Sequence, residues 1–147
     1  MELNYKKSKM MIFNFTKDYQ FTTSLSIEDN KIQVVNETKL LGTVITSDLK
    51  WKRNTEEIIK KAYARMQIVR KVAEFSSKSD DLVTIYKSYV RSILEQSCQV
   101  WHSSLSDECS YSIERVQKAA VRIILKDKFM SYEHSLEKLN SDTLYER

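Results

Sequence analysis

Proline is absent from this chain of 147 residues, and glycine occurs only once. Average usage would give about 7 prolines and about 10 glycines in a chain of this length. β-Sandwiches, barrels, Rossmann folds and P-loop proteins need glycine at tight turns and phosphate-binding loops, so the composition argues against all of them. What remains is a mainly helical protein with a few strands.

Cysteine and long apolar runs are also scarce. The two cysteines, Cys98 and Cys109, are too few for a disulfide framework and suit a reducing compartment. No apolar run approaches the roughly 18 residues that a membrane span requires. The first seven residues lack the apolar stretch of a signal peptide. We therefore expect an intracellular protein, in the cytoplasm or the nucleus, that has no membrane partner.

The positive charge is modest and unevenly distributed. Lysine and arginine number 24 against 20 aspartates and glutamates, which gives a net charge of +4. Residues 51–80 carry 8 basic and 4 acidic side chains, whereas residues 81–147 carry 9 and 10. A basic excess of this size attracts polyanions modestly. It fits a nucleic-acid partner and an ordinary solvated surface equally well, and both interpretations stay open.

Residues 1–50 have the pattern of short strands. Apolar and β-branched side chains dominate four segments or alternate there with polar ones. The four segments are residues 9–15, 21–27, 31–35 and 39–46. Residues 28–31 carry a hairpin turn signal, because aspartate and asparagine tolerate positive φ. Gly42, the single glycine, lies inside the fourth predicted strand.

From Trp51 onward the apolar residues recur at the three- and four-residue steps of helices. The first helix is predicted to have a capping box, with Asn54 as the cap and Glu57 reaching back. Later helices are predicted to begin at three serine caps, and the helix that begins at Ser79 is expected to end near Trp101. The serines are Ser79, Ser106 and Ser131. A further cap signal at residues 141–144 predicts the start of a fifth helix, which we expect this chain not to complete.

Each predicted helix has one apolar face. The expected core positions are Ile59, Ala62, Met66, Val69, Ala73, Leu82, Ile85, Tyr86, Tyr89, Ile93, Ile113, Val116, Ala120, Ile123, Tyr132, Leu136 and Leu139. Helices of this length form cooperatively when they pack on one another. The predicted fold is therefore α+β, with a small antiparallel β unit over residues 1–50 and a three- to four-helix bundle over residues 51–147.

Residues able to bind a metal or to catalyse are few. Asp80 and Asp81 follow the predicted cap of the second helix, where the helix dipole favours acids, so we interpret them as helix-start residues. Cys98 and His102 have a spacing that can hold zinc, but no paired motif completes the site. We expect no metal site, no cofactor and no catalytic residue in this chain.

A row of basic residues on the third predicted helix, which begins at Ser106, is more informative about function. Arg115, Lys118, Arg122 and Lys126 succeed one another at steps of three, four and four, which aligns them on one helical face. This face lies roughly opposite the apolar stripe. Such a row can contact the phosphates of a nucleic acid, or it can be a solvated surface, and the sequence leaves both possibilities open.

Five segments, in order along the chain, carry a family resemblance. They contain Leu3, Asn4, Lys7 to Met10 and Phe13; Lys39 to Ile45 with Leu49 to Trp51; Val100 and Trp101; Ile113 to Ile124; and Tyr132, Glu133, Leu136 and Leu139 with Leu144 to Arg147. In residues and in order, they resemble the end of the palm and the thumb of reverse transcriptases from non-LTR retrotransposons. The resemblance covers nearly the whole chain.

The resemblance implies a role for each part of the chain. Residues 1–50 would be the last palm strands, with Leu41 and Gly42 in the hairpin that grips the primer, and residues 52–126 would be the thumb and the segment after it. A small glycine would let the hairpin approach a nucleic-acid strand closely. The expected partner is a primer–template, bound weakly and without sequence preference. The residues expected to contact it are Lys7, Lys9, Leu41, Gly42, Arg115, Lys118 and Arg122.

The same resemblance implies that this chain does not polymerise nucleotides. The Asp-Asp box of the palm would lie upstream of Leu3, so the carboxylates that hold two Mg²⁺ ions in the parent enzyme are expected to be missing. We therefore expect an inactive fragment of an RNA-directed DNA polymerase. Two alternatives stay open. One is a stand-alone, sequence-independent nucleic-acid-binding module, and the other is a structural or interaction protein whose apolar strands need a partner.

Overall fold

The computed structural model describes residues 4, 6–16, 23–75 and 78–145, and these residues have the predicted α+β class. The strands are β1 (Lys9–Met10), β2 (Ser26–Ile27), β3 (Asn30–Lys31), β4 (Gln33–Val34), β5 (Glu37–Leu40) and β6 (Thr43–Thr46). The helices are α1 (Lys52–Phe75), α2 (Ser79–Ile85), α3 (Ser92–Leu94), α4 (Cys98–Trp101), α5 (Asp107–Leu125) and α6 (Tyr132–Lys138). A π-helical turn, Tyr86–Arg91, joins α2 to α3.

The strands form three separate two-stranded pairs. β2 and β3 make an antiparallel hairpin, and β5 and β6 make another, whereas β1 pairs with β4 in parallel. Glu28 and Asp29 have φ angles of 48° and 63° between β2 and β3, so the predicted hairpin turn is confirmed.

The strands are shorter than predicted. Of residues 9–15, only 9 and 10 are in a strand, and the segment over residues 31–35 divides between two partners. Of the strand predicted over residues 21–27, positions 21 and 22 lie outside the described residues, and only the last two residues pair. A strand persists only where a neighbouring backbone supplies hydrogen bonds, and each of these partners offers two residues.

The prediction of a single strand over residues 39–46 is wrong. Leu41 and Gly42 have φ angles of 48° and 91° and reverse the chain between β5 and β6. Positive φ at both central residues is typical of a type I′ hairpin turn. β6 then packs on α1, where the backbone N–H of Val44 donates to Oδ1 of Asn54 at 3.0 Å.

That hydrogen bond changes the role predicted for Asn54. α1 begins at Lys52, so Asn54 lies buried inside the helix, and the predicted capping box is wrong. Its amide oxygen serves the hairpin instead of the helix end. The apolar part of the buried face of α1 begins at Ile58, and Ile59, predicted for the core, is half-buried. The other predicted core positions of this helix, Ala62, Met66, Val69 and Ala73, are buried as expected.

α2, the π turn and α3 form one continuous helical segment, the α2–α3 helix. It begins at Ser79 itself, and no side-chain cap lies before it, so the prediction of a cap at Ser79 is wrong. The π turn accommodates one extra residue and rotates the positions after it. Val90 is therefore buried, whereas Tyr89, predicted for the core, is half exposed.

The α2–α3 helix also ends earlier than predicted. The chain turns at residues 95–97, with Ser97 at a φ of 56°, and α4 then adds a single helical turn that ends at Trp101. Trp101 itself is buried, and its indole N–H donates to the backbone carbonyl of Gln96 at 3.0 Å. The indole thus closes the break in the helix.

The two later serine caps are confirmed. Ser106 Oγ accepts from the backbone N–H of Cys109 at the start of α5, and Ser131 Oγ accepts from that of His134 at the start of α6. On α5, Ile124 is more deeply buried than the predicted Ile123. Residues 141–145 form no helix, so the further helix predicted to start there is absent from the described residues.

The core lies between three helices. α1 and α5 lie side by side and parallel. At their starts, Lys52 Nζ is 3.9 Å from Glu108 Oε1. At their ends, Lys126 donates to the carbonyl of Ala73. The α2–α3 helix packs against both. Leu144 adds to this core from the C-terminal segment. Among the described residues, no helix combines the length and the apolar character needed to cross a membrane.

Candidate nucleic-acid interface

The tip of the β5–β6 hairpin is exposed and apolar. Leu41 has 90% of its surface exposed, and the preceding Leu40 has 58%. A Cβ on Gly42 would lie 2.5 Å from Nε2 of Gln96, so the missing side chain makes room for this amide. This differs from the expectation that the glycine lets a nucleic-acid strand approach. The protein itself occupies that space, and the exposed group at the tip is Leu41.

Three cations meet between the hairpin and α1, and we refer to them as the hairpin cluster: Lys39 of β5 and Lys61 and Arg65 of α1. The Lys39 side chain lies near that of Lys61. Partial burial of Lys61, this contact and the charges of Lys39 and Arg65 lower the pKa of Lys61, and Glu57 opposes the effect. Arg65 is held in place, because its guanidinium donates to the carbonyl of Tyr89 at 3.2 Å.

A cleft of about 290 Å³ extends the hairpin cluster toward β1. Lys9, predicted as a site residue, lines this cleft together with Lys39 and Glu57. The cleft also contains Arg53, whose charge is balanced by Glu37 at 3.5 Å and by two glutamates of its own helix. The structure thus brings Lys9 and Lys39 to one cleft. Lys7 is exposed in the turn before β1 and does not line it.

The predicted basic row of α5 is present, and we call it the α5 row: Arg115, Lys118 and Arg122. Arg115 and Arg122 are exposed, and Lys118 is half-buried. Lys118 Nζ lies 5.4 Å from the ring centre of Tyr132, and Arg122 Cζ lies 5.3 Å from that of Phe129. Within the described part of the chain, none of the three forms a salt bridge. Aromatic faces therefore hold two of these cations without neutralising them.

Lys126, the fourth residue of the predicted row, does not belong to it. α5 ends one residue earlier, and Lys126 has a positive φ of 48° in the turn after the helix. Its ammonium donates to the carbonyl of Ala73 near the end of α1. The carbonyls of a last helical turn have no partner within the helix, so a nearby ammonium stabilises them. This lysine joins two helix ends.

A polar network fixes the aromatic platform under the α5 row. Tyr132 donates to Glu114, and its hydroxyl accepts from Nε2 of the buried Gln117 at 3.1 Å. Gln117 also accepts from the hydroxyl of Tyr86 at 2.8 Å. Burial, and then the hydrogen bond to Glu114, raise the pKa of Tyr132, so its phenol keeps its proton. Gln117 could not be predicted from the sequence, because a lone glutamine on an apolar stripe gives no distinctive signal.

The second oxygen of Glu114 holds the C-terminal segment. It accepts from the backbone N–H of Leu144 at 2.9 Å, and the carbonyl of Asp142 accepts from Gln117 at the same distance. The interaction network thus extends from the π turn through α5 to residues 142–144. It holds the α5 row on a rigid support.

The acidic and sulfur-containing candidates stay apart. Asp80 and Asp81 are exposed in the first turn of α2, as the helix dipole favours. In the described ranges, His, Cys, Asp and Glu side chains form no group of three or more that could hold a metal ion. Cys98 is half-buried and Cys109 is buried, and neither forms a disulfide.

Comparisons of the chain with protein-family models, with curated proteins and with solved structures find no match. The resemblance to reverse transcriptases therefore rests on the residues quoted for it and stays a prediction.

Proposed function

We propose that this chain forms the primer-grip and thumb part of an RNA-directed DNA polymerase of the non-LTR retrotransposon type. In this role it holds a primer–template duplex by its phosphates and does not read base sequence. The chain itself contributes no catalytic residue and no metal ligand to the proposal. Mg²⁺ belongs to the palm of the parent enzyme.

The hairpin cluster is the observation that carries this proposal. Lys39 and Arg65 both disfavour the charged form of Lys61, so bringing these three cations together costs free energy. An anion between them would remove that cost. A phosphate diester has the charge and the oxygen acceptors for this position. The exposed Leu41 beside the cluster offers an apolar contact for a sugar or a base.

The α5 row supports the same proposal in a second place. Its three cations can neutralise about three phosphates. Binding by such contacts is independent of sequence and weak, with dissociation constants of roughly 10⁻⁴ to 10⁻⁶ M at physiological salt. A thumb needs this kind of contact, because it must slide along the duplex as the primer grows.

Salt titration of binding tests the proposal. Fluorescence anisotropy of a labelled RNA–DNA primer–template is measured between about 50 and 200 mM salt. We compare the Lys39→Gln/Lys61→Gln variant with a Lys60→Gln/Lys138→Gln variant, which loses the same charge from exposed lysines outside the cluster. The cluster variant should bind more weakly and lower the log–log salt slope by roughly 2, or about 1 per phosphate contact. Equal effects of the two variants would contradict a phosphate site in the hairpin cluster.

The ligand's shape separates the proposal from the alternatives. A primer grip and thumb should prefer a recessed primer end over a blunt duplex of equal length, whereas a general nucleic-acid-binding module should bind both alike. A structural or interaction protein should show no salt-sensitive binding to either.

Replacing Arg115, Lys118 and Arg122 together by glutamine should also flatten the log–log salt slope and keep the helical content. Unchanged binding by this triple variant would make the α5 row a solvated face.

A further inference from the structure

A further cavity lies beside the break between α3 and α4. It has a volume of about 500 Å³, within the range of small-molecule sites. Its apolar wall comes from Leu94, Trp101, Ile113 and Leu144, so the α2–α3 helix, α4, α5 and the C-terminal segment all contribute. None of its lining residues belongs to the hairpin cluster or the α5 row.

Irregular backbone surrounds this cavity. The π turn buries Arg91, whose Nε donates to Glu95 on the cavity wall at 2.7 Å. Two residues further on, Ser97 has a φ of 56°, and the following α4 carries cavity residues between positions 98 and 101. A π turn and a left-handed serine are both unfavourable unless something is gained, and both occur often at functional sites. The helix is interrupted at residues 95–97, and residues on both sides of this break line the cavity.

The polar groups of the cavity suit an uncharged ring. His102 and Tyr145 lie with their ring centres 6.4 Å apart, and the buried Trp101 is 6.2 Å from His102. Gln99, Ser103 and Ser110 add amide and hydroxyl groups to the same wall. Among the described residues no lysine or arginine lines the cavity, whereas Glu95 does, so a phosphate is disfavoured. The combination of aromatic faces with several donors and acceptors matches the faces and edge of a heterocycle.

We propose that this cavity is a binding site for a single nucleobase. The base stacks on the accessible rings of His102 and Tyr145, and its edge forms hydrogen bonds with the serine and glutamine side chains. Stacking on aromatic residues is the usual means by which proteins that bind single strands hold a base. The site needs no phosphate contact, so it does not depend on the proposed function.

Nucleosides without phosphate test this site by NMR. The chain has two tryptophans, so its indole N–H region holds one signal for Trp101, in the cavity, and one for Trp51, outside it. Adenosine and cytidine, titrated to about 10 mM, should shift the Trp101 signal in a saturable manner and leave the Trp51 signal in place. Unsaturable or equal shifts of both signals would overturn the proposal.

Neighbouring serines provide the matched variants. Ser103 lines the cavity and Ser104 does not, and both are exposed in the same short helical turn. Ser103→Phe should fill the cavity and weaken nucleoside binding at least tenfold, whereas Ser104→Phe should leave it unchanged. Equal weakening by both variants would contradict a site in this cavity.

Phenylalaninamide is the competing probe for the nucleobase assignment. If it binds as tightly as adenosine, the cavity accepts any aromatic ring, and this result would overturn the assignment.

Discussion

Leu41 departs from two local rules at once. It has a left-handed φ of 48° in a hairpin turn, where asparagine or glycine is preferred, and 90% of its apolar surface is exposed. Neither feature stabilises the fold. We therefore predict that replacing this side chain with asparagine, which makes an Asn-Gly turn with Gly42, stabilises the protein.

The size of the gain can be worked out from the backbone. A left-handed conformation costs a residue other than glycine roughly 1–2 kcal/mol, and asparagine pays less because its short side chain can hydrogen-bond locally. Leu41→Asn should therefore increase the free energy of unfolding by about 0.5–1 kcal/mol. In a chain of this length that corresponds to a rise of roughly 1–4 °C in Tm. The m value should not change, since the surface exposed on unfolding stays nearly the same.

Urea unfolding followed by far-UV circular dichroism measures this effect. Leu40→Asn is the matched control, because Leu40 is also exposed but lies in β5, where asparagine is unfavourable. The control should be neutral or less stable. A Leu41→Asn variant that is no more stable than the control would refute the reasoning about backbone strain. If the proposed function holds, the more stable variant also binds primer–template more weakly, because the exposed leucine has been lost.

Two further predictions concern buried polar groups. Burial raises the pKa of Tyr86 above its ordinary value of 10.0, so above that pH the unfolded chain loses the phenol proton while the folded chain keeps it. The free energy of unfolding should then fall by up to about 1.4 kcal/mol per pH unit from this group, and urea titrations of Tyr86→Phe should show a shallower fall than the parent. An equally steep fall would contradict the assignment. Asn54→Ala should cost about 1–3 kcal/mol in the same assay at neutral pH, because the backbone N–H of Val44 loses its buried acceptor. Thr55→Val is its control, since the buried hydroxyl of Thr55 has no partner among the described residues, and it should be neutral or stabilising.

Local signals in the sequence predicted the elements whose causes are local. Ser106 and Ser131 cap their helices because serine before a helix start needs only its own neighbours. The turn at Glu28 and Asp29 is local for the same reason. Asn54 gave an equally good cap signal and was misassigned, because its amide binds a strand ten residues earlier in the chain.

The π turn explains why the prediction that Tyr89 lies in the core is wrong. A regular helix through Tyr86 places Tyr89 and Ile93 on the same face, and the apolar pattern fits that arrangement. One extra residue in the turn moves Val90 inward and Tyr89 outward. The sequence carries no sign of the insertion, since both arrangements bury apolar side chains. In the π-helical arrangement Arg91 is buried and donates to Glu95 and to the carbonyl of Asp142.

The candidate interface also has one part that follows from local sequence and one part that depends on tertiary structure. The α5 row was visible in the sequence because its spacing is a property of one helix. The hairpin cluster was not, because Lys39 and Lys61 belong to a strand and a helix that meet only in the folded chain. Lys9 was predicted from the resemblance alone, and its position in the cleft next to Lys39 depends on the pairing of β1 with β4. Charged side chains that come together only through tertiary contacts cannot be predicted from the sequence pattern.

Gln96 contacts both the hairpin tip and a wall residue of the cavity. Its side-chain amide fills the space beside Gly42 at the hairpin tip, and its backbone carbonyl accepts from the indole of Trp101 in the cavity wall. A residue at the break between two helices thus touches both the hairpin and the cavity. The salt titration and the nucleoside titration use different ligands and different variants, so each site can fail while the other stands.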